Sequence, residues 1–158
     1  MAKEHQYHTD MVWTGNKGSG TMDYRSYDRS FTISIHNKPN IHGSSDSEFL
    51  GDRTKYNPED LLVASLSSCH MLWYLHLCSQ NGIIVLEYSD KAVGKMLENT
   101  DGSGRFKEVI LHPVVTISDP SQTEKALSLH EQANKMCFIA NSCNFPVKHE
   151  AECLVEQT

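Results

Sequence analysis

The sequence predicts a single α+β domain spanning residues 1–158, and three observations carry that prediction. The first is Asn57–Gln80, a run that is apolar nearly all round and opens on a helix-start signal. The second is alternation of apolar and polar residues on either side of that run, the mark of half-buried strands. The third is a one-sided apolar pattern at helical spacing late in the chain: Ala126, Leu129, His130, Ala133 and Cys137. A chain of 158 residues is long enough to bury a real core.

The elements follow in order. Residues 6–14 read as a first strand, and Gly15–Gly20 as a turn rich in residues that tolerate positive φ. That turn is not a phosphate loop, because no Lys-Ser/Thr follows it and no strand–helix context surrounds it. Thr21–Asn37 continues as one long or two short strands, with Phe31, Ile33 and Ile35 alternating, so the N-terminal part is a β-meander. Lys38–Tyr56 is a long polar connection of the kind that carries function or meets a partner.

The long central helix then starts. Asn57 is a good N-cap, Pro58 sits where its missing N–H costs nothing, and Glu59 and Asp60 meet the positive end of the helix dipole. Two apolar rows run along it: Leu62, Leu66, Cys69, Trp73 and Leu77, and Leu61, Ser65, Ser68, Leu72 and Leu75. A helix apolar all round belongs inside a protein, and this one is roughly 35 Å long. A membrane span is the weaker reading, since His70, His76 and several serines interrupt the run. Asn81-Gly82 stops the helix.

Ile83–Leu97 and Phe106–Ser118 read as the two strands of a second hairpin around the turn Asn99–Gly104. Asp119 or Ser121 caps a second helix, with Pro120 in its first turn, and helical character continues through Phe138–Asn141. Asn144-Phe145-Pro146 breaks it, and Val147–Glu156 alternates as a final strand.

Net charge is −6 and the sequence pI is about 5.8, with Lys and Arg scattered, which argues against nucleic acid as a partner. The start of the chain has no apolar h-region and no small-residue cleavage site, so a cytoplasmic location is expected. Five cysteines at irregular spacings then point to thiol chemistry or plain packing rather than to a disulfide framework.

Cys78, near the end of the apolar helix, and Cys153, in the last strand, fit packing. Cys69 lies mid-helix between Ser68 and His70, and Cys137 ends the amphipathic second helix. Two thiols on two helices meet if the helices pack, one attacking an oxidant and the other resolving the sulfenic acid to a disulfide. A zinc site is the rival. Against it, no C-x-x-C or H-x-x-x-H spacing is present, and Cys69 and His76 share a face about 10 Å apart. His76 reads better as a core histidine with one nitrogen hydrogen-bonded.

The run Asn57-Pro58-Glu59-Asp60-Leu61-Leu62 through Ser68-Cys69-His70, with a second cysteine in Ala133–Cys137 followed by Phe138–Ser142, resembles the OsmC/Ohr family of thiol-dependent peroxidases. The expected order of meander, long helix, hairpin, helix and strand fits that family along the whole chain. The resemblance implies an OsmC-like fold, an intertwined homodimer and reduction of organic hydroperoxides; no cofactor and no metal are expected. It implies Cys69 as the peroxidatic and Cys137 as the resolving cysteine, Glu59 as the glutamate that orients an activating arginine, and a dithiol reductant such as a lipoylated protein. Glu59 lies ten residues before Cys69, roughly 15 Å along one straight helix, so it reaches a thiolate most easily across a dimer.

A mid-helix cysteine gains little from its own helix N-terminus, so its activation calls for a nearby cation. Lys17 stands in the first turn where the Ohr branch has an arginine; Arg25, Arg29 and Arg53 are the other candidates, and Arg29 is favoured because it enters the alternating strand. Cys143, six residues after Cys137, is an alternative resolving partner. His70 points about 100° away from Cys69 around the helix and is a poor base for it. The sequence thus predicts an organic hydroperoxide reductase; a non-enzymatic oxidant sensor or apolar-ligand binder on the same fold is the alternative.

Overall fold

The computed structural model describes residues 2–156, and its contacts gather into two units that meet in sequence at Leu61/Leu62. In the first unit, strands β1 (Asp10–Trp13), β2 (Phe31–Ser34) and β3 (Ile41–Gly43) form an antiparallel sheet in the order β1-β2-β3. The meander is therefore present, but its third strand comes from within the connection that looked irregular in sequence. That connection also holds a short 3₁₀ turn, Ser47–Phe49, capped by the Asp46 side chain.

The glycine-rich turn after β1 is built around one side chain. The Asn16 Oδ1 accepts from the amides of Gly18 and Gly20 at 2.9 and 3.0 Å. Gly15 is required for a different reason: a Cβ there would lie 1.8 Å from the Asp28 carbonyl oxygen.

Helix α1 (Pro58–Gln80) opens with a reciprocal cap. The Asp60 amide donates to Asn57 Oδ1 at 2.7 Å, and the Asn57 amide donates back to Asp60 Oδ2 at 3.2 Å. Gly82, at φ +70°, ends it, as the Asn-Gly pair predicts.

In the second unit, the strand expected over Ile83–Leu97 is two strands, β4 (Val85–Asp90) and β5 (Val93–Glu98). The one expected over Phe106–Ser118 is β6 (Gly104–Leu111) and β7 (Pro113–Ile117), and the last is β8 (Val147–His149) and β9 (Glu152–Val155). Each broken strand contributes to two sheets, ordered β4-β7-β9 and β5-β6-β8, and each sheet joins an antiparallel pair to a parallel one. The breaks have a cause. The Asp90 carboxylate takes the His112 amide at 2.7 Å, and the Leu111 carbonyl accepts from the Glu150 amide at 2.9 Å.

Asp119 caps a 3₁₀ turn at Pro120, which leads into α2 (Thr123–Met136). The helical run does not simply continue: Cys137 is extended, ending α2 and capping α3 (Phe138–Asn141).

One core cluster of this unit joins Tyr74 and Leu77 of α1 to Val115 and Ile117 of β7 and Ala126 and Ala133 of α2. A second gathers Leu66, Val109 and Leu111. The buried row of α1 is Leu66, His70, Tyr74, Leu77 and Cys78, and it differs from both rows read from the sequence. Leu72 is 63% exposed and His76 is exposed, so His76 is not a core histidine; His70 is. By length and composition alone α1 could cross a membrane, but its buried row carries the core of this unit.

Candidate active site

Cys69 sits half-buried in the middle of α1, and Cys137, 1% exposed, sits at the junction of α2 and α3. The Cys137 sulfur accepts from the Ala140 amide at 3.4 Å, so the extended residue that breaks the helix also fixes its own thiol. Burial pushes the Cys137 thiol up to about 11, and the neighbouring Cys69 side chain adds to the rise by hydrogen bonding and charge. These two thiols are brought together.

The other three cysteines are held elsewhere. Cys143 packs on the Leu66 cluster and donates its S–H to the Ile139 carbonyl at 3.3 Å; burial raises its pKa. Cys78 and Cys153 belong to the Tyr74 cluster, and burial raises both, as expected of packing residues.

The face of α1 that carries Cys69 continues through Leu72, Trp73 and His76, which line an open cavity of about 220 Å³. Trp73 meets Phe138 edge-on, with ring centroids 5.6 Å apart, and Phe138 is 65% exposed. An apolar strip therefore lies beside Cys69. Leu66, in the same row of the helix as Cys69 and Trp73, is fully buried in the core.

In the first unit, Arg29 precedes β2 rather than entering it. Its Nη1 donates to the Tyr27 carbonyl at 2.7 Å, and its Nη2 donates to the Tyr24 carbonyl. The guanidinium carbon lies 4.3 and 4.2 Å from the Tyr24 and Tyr27 ring centroids. This clamp fixes a half-buried cation in a cavity of about 390 Å³ lined by Trp13, Phe31 and Ser44 among others. Arg25 and Arg53 are exposed, and Lys17 pairs with Asp28 at 3.1 Å. Glu59 is half-buried in the first turn of α1 and forms no ion pair among the described residues.

Sequence reasoning missed two features: the tyrosine clamp on Arg29, and a stack of His70, His130 and His149. The signal for the stack was present, since His70 and Tyr74 are one turn apart and His130 was on the apolar face of α2. Among the described residues, no three His, Cys, Asp or Glu side chains are placed to hold a metal ion.

A mixed α+β architecture with a long helix bearing a thiol, and a second thiol at a helix junction, defines the class. The profile of the OsmC-like protein family matches residues 51–152, and the chain belongs to that family. It is similar in structure to an OsmC-like protein of unknown function from Vibrio cholerae, at 28% identity and TM-score 0.84 over 94% of this chain and 99% of that one. It shares its fold with an organic hydroperoxide resistance protein from Elizabethkingia anophelis (16% identity, TM-score 0.66, 98% and 100% covered). A Legionella pneumophila protein described as an organic hydroperoxide resistance protein OsmC does so too (16%, 0.65, 96% and 99%). No curated protein matches.

Proposed function

We propose that this protein is a thiol peroxidase that reduces organic hydroperoxides. The Cys69 thiolate attacks the terminal peroxide oxygen, the O–O bond breaks, and the alkoxide leaves as an alcohol after taking a proton. The Cys137 sulfur then attacks the sulfenic acid, its proton leaves with the hydroxide as water, and a disulfide remains. A dithiol reductant, such as a lipoylated protein, returns both thiols through a mixed disulfide.

The observation that carries this reading is the pairing of Cys69 with Cys137 beside an uncovered apolar strip. Such a strip suits an alkyl or aryl hydroperoxide better than hydrogen peroxide. Arg29 is the proposed cation for the thiolate, because its clamp fixes it without consuming its charge. Glu59 is proposed to act from a second copy of the chain, and the exposed Leu72 and Phe138 supply apolar surface for that copy to cover.

The test is consumption of cumene hydroperoxide with dihydrolipoamide as reductant. Cys69→Ser and Cys137→Ser are expected to abolish turnover and Cys143→Ser to retain it, with a Cys69–Cys137 disulfide trapped in the wild type by mass spectrometry. Single oxidation of Cys69 without turnover would replace this reading with that of an oxidant sensor.

A further inference from the structure

His70 and His130 are both fully buried, on α1 and α2, and neither is used by the thiol chemistry above. His70 Nε2 and His130 Nδ1 lie 3.0 Å apart, with the ring planes 5° apart. The His130 ring also stacks on Tyr74, with centroids 3.8 Å apart. At that nitrogen–nitrogen distance one ring donates and the other accepts, so the contact needs at most one proton between the two facing nitrogens. Two imidazoliums would set two donors against each other.

The surroundings favour the neutral pair. Facing it are Tyr74 of α1, Asp90 of β4 and His149 of β8, with Cys78, Tyr88 and Cys153 around Tyr74. Asp90 is the single carboxylate among them, and it already accepts from the Ser67 hydroxyl and the His112 amide. Burial lowers His70 to about 4 and His130 to about 3, with the nearby imidazoles adding to the effect.

An apolar pair of similar volume would fill this space without the cost of desolvating polar rings. What a hydrogen bond adds is one fixed geometry between two helices. His70 is next to Cys69 on α1, and His130 stands seven residues, about two turns, before Cys137 on α2. The geometry points to His70 and His130 as positioning residues: a neutral imidazole pair bonded between α1 and α2 that holds Cys137 in register with Cys69. This rests on the reading of those thiols as the redox pair.

The test uses the full chain in a dithiothreitol redox buffer near neutral pH, with the Cys69–Cys137 disulfide-to-dithiol ratio read by mass spectrometry. His130→Phe keeps the ring on Tyr74 but removes the nitrogen; His130→Asn restores a hydrogen-bonding atom near the Nδ1 position. The ratio is expected to fall about tenfold in His130→Phe and to stay within about twofold of wild type in His130→Asn. A general loss of stability would lower the melting temperature of both and would not separate them in this ratio. A folded His130→Phe with the wild-type ratio overturns the inference and leaves the peroxidase reading standing. A wild type that never forms the disulfide overturns both. In the reduced wild type, imidazole NMR signals of His70 and His130 are expected to remain neutral down to about pH 5.5, and protonation of either near 6.5 overturns the pair independently.

Discussion

Arg29 is fixed by the two tyrosines that precede it, Tyr24 and Tyr27. Its guanidinium fork meets two carbonyls while both faces lie near tyrosine rings, a combination that a lysine ammonium cannot reproduce. Arg29→Lys is therefore expected to lower kcat/KM by about 10–100-fold, with the fold intact by circular dichroism. Glu108 is the second residue with a sharp consequence. It bridges Lys95 of β5 at 2.8 Å and Lys148 of β8 at 2.6 Å, and the bonds from Lys148 and then Lys95 pull its carboxyl down to about 2. Below the usual carboxylate value of 4.5 the unfolded chain binds this proton first. The bridge therefore stabilises the fold above about pH 4.5, and that contribution is lost as pH falls towards 2. Urea midpoints measured across that range should fall with acid in the wild type and less steeply in Glu108→Gln.

Among the elements, α1 is the one whose beginning can be tested alone. Its cap is a two-way exchange between Asn57 and Asp60, and Asn57 Nδ2 also donates to Asp46 at 3.2 Å. Asn57→Ala is expected to cost about 1 kcal/mol of stability in urea unfolding, and Asn57→Ser to recover most of it. The strands behave differently. Their alternation was legible, but their breaks at Lys91, His112 and Glu150 were not, because the Asp90 carboxylate that captures an amide at the break acts over 22 residues of separation. The extended Cys137 was hidden for a related reason. Ala133 to Asn141 has a helical composition throughout, and only the capture of the Ala140 amide by the sulfur marks the kink.

At the scale of the whole molecule, the exposed face of α1 bears on assembly. Leu72, Trp73 and Phe138 leave apolar surface uncovered on a single chain, and the proposed homodimer covers it. Sedimentation is expected to give a dimer at micromolar concentration, and Leu72→Glu to shift it to monomer with a loss of peroxide consumption. The sequence by itself determined the α+β class, the family, the helix and turn boundaries at Asn57 and Gly82, and the two cysteines worth watching. These rest on local signals: periodicity, caps, glycine conformations and short motifs. Tertiary structure alone decided that Cys137 neighbours Cys69, that His70 rather than His76 enters the core, and that Arg29 is held by Tyr24 and Tyr27. The physical reason is common to all three. A helix apolar on every side does not say which row its neighbours will bury, and a side chain's partner is chosen by packing between elements far apart in sequence.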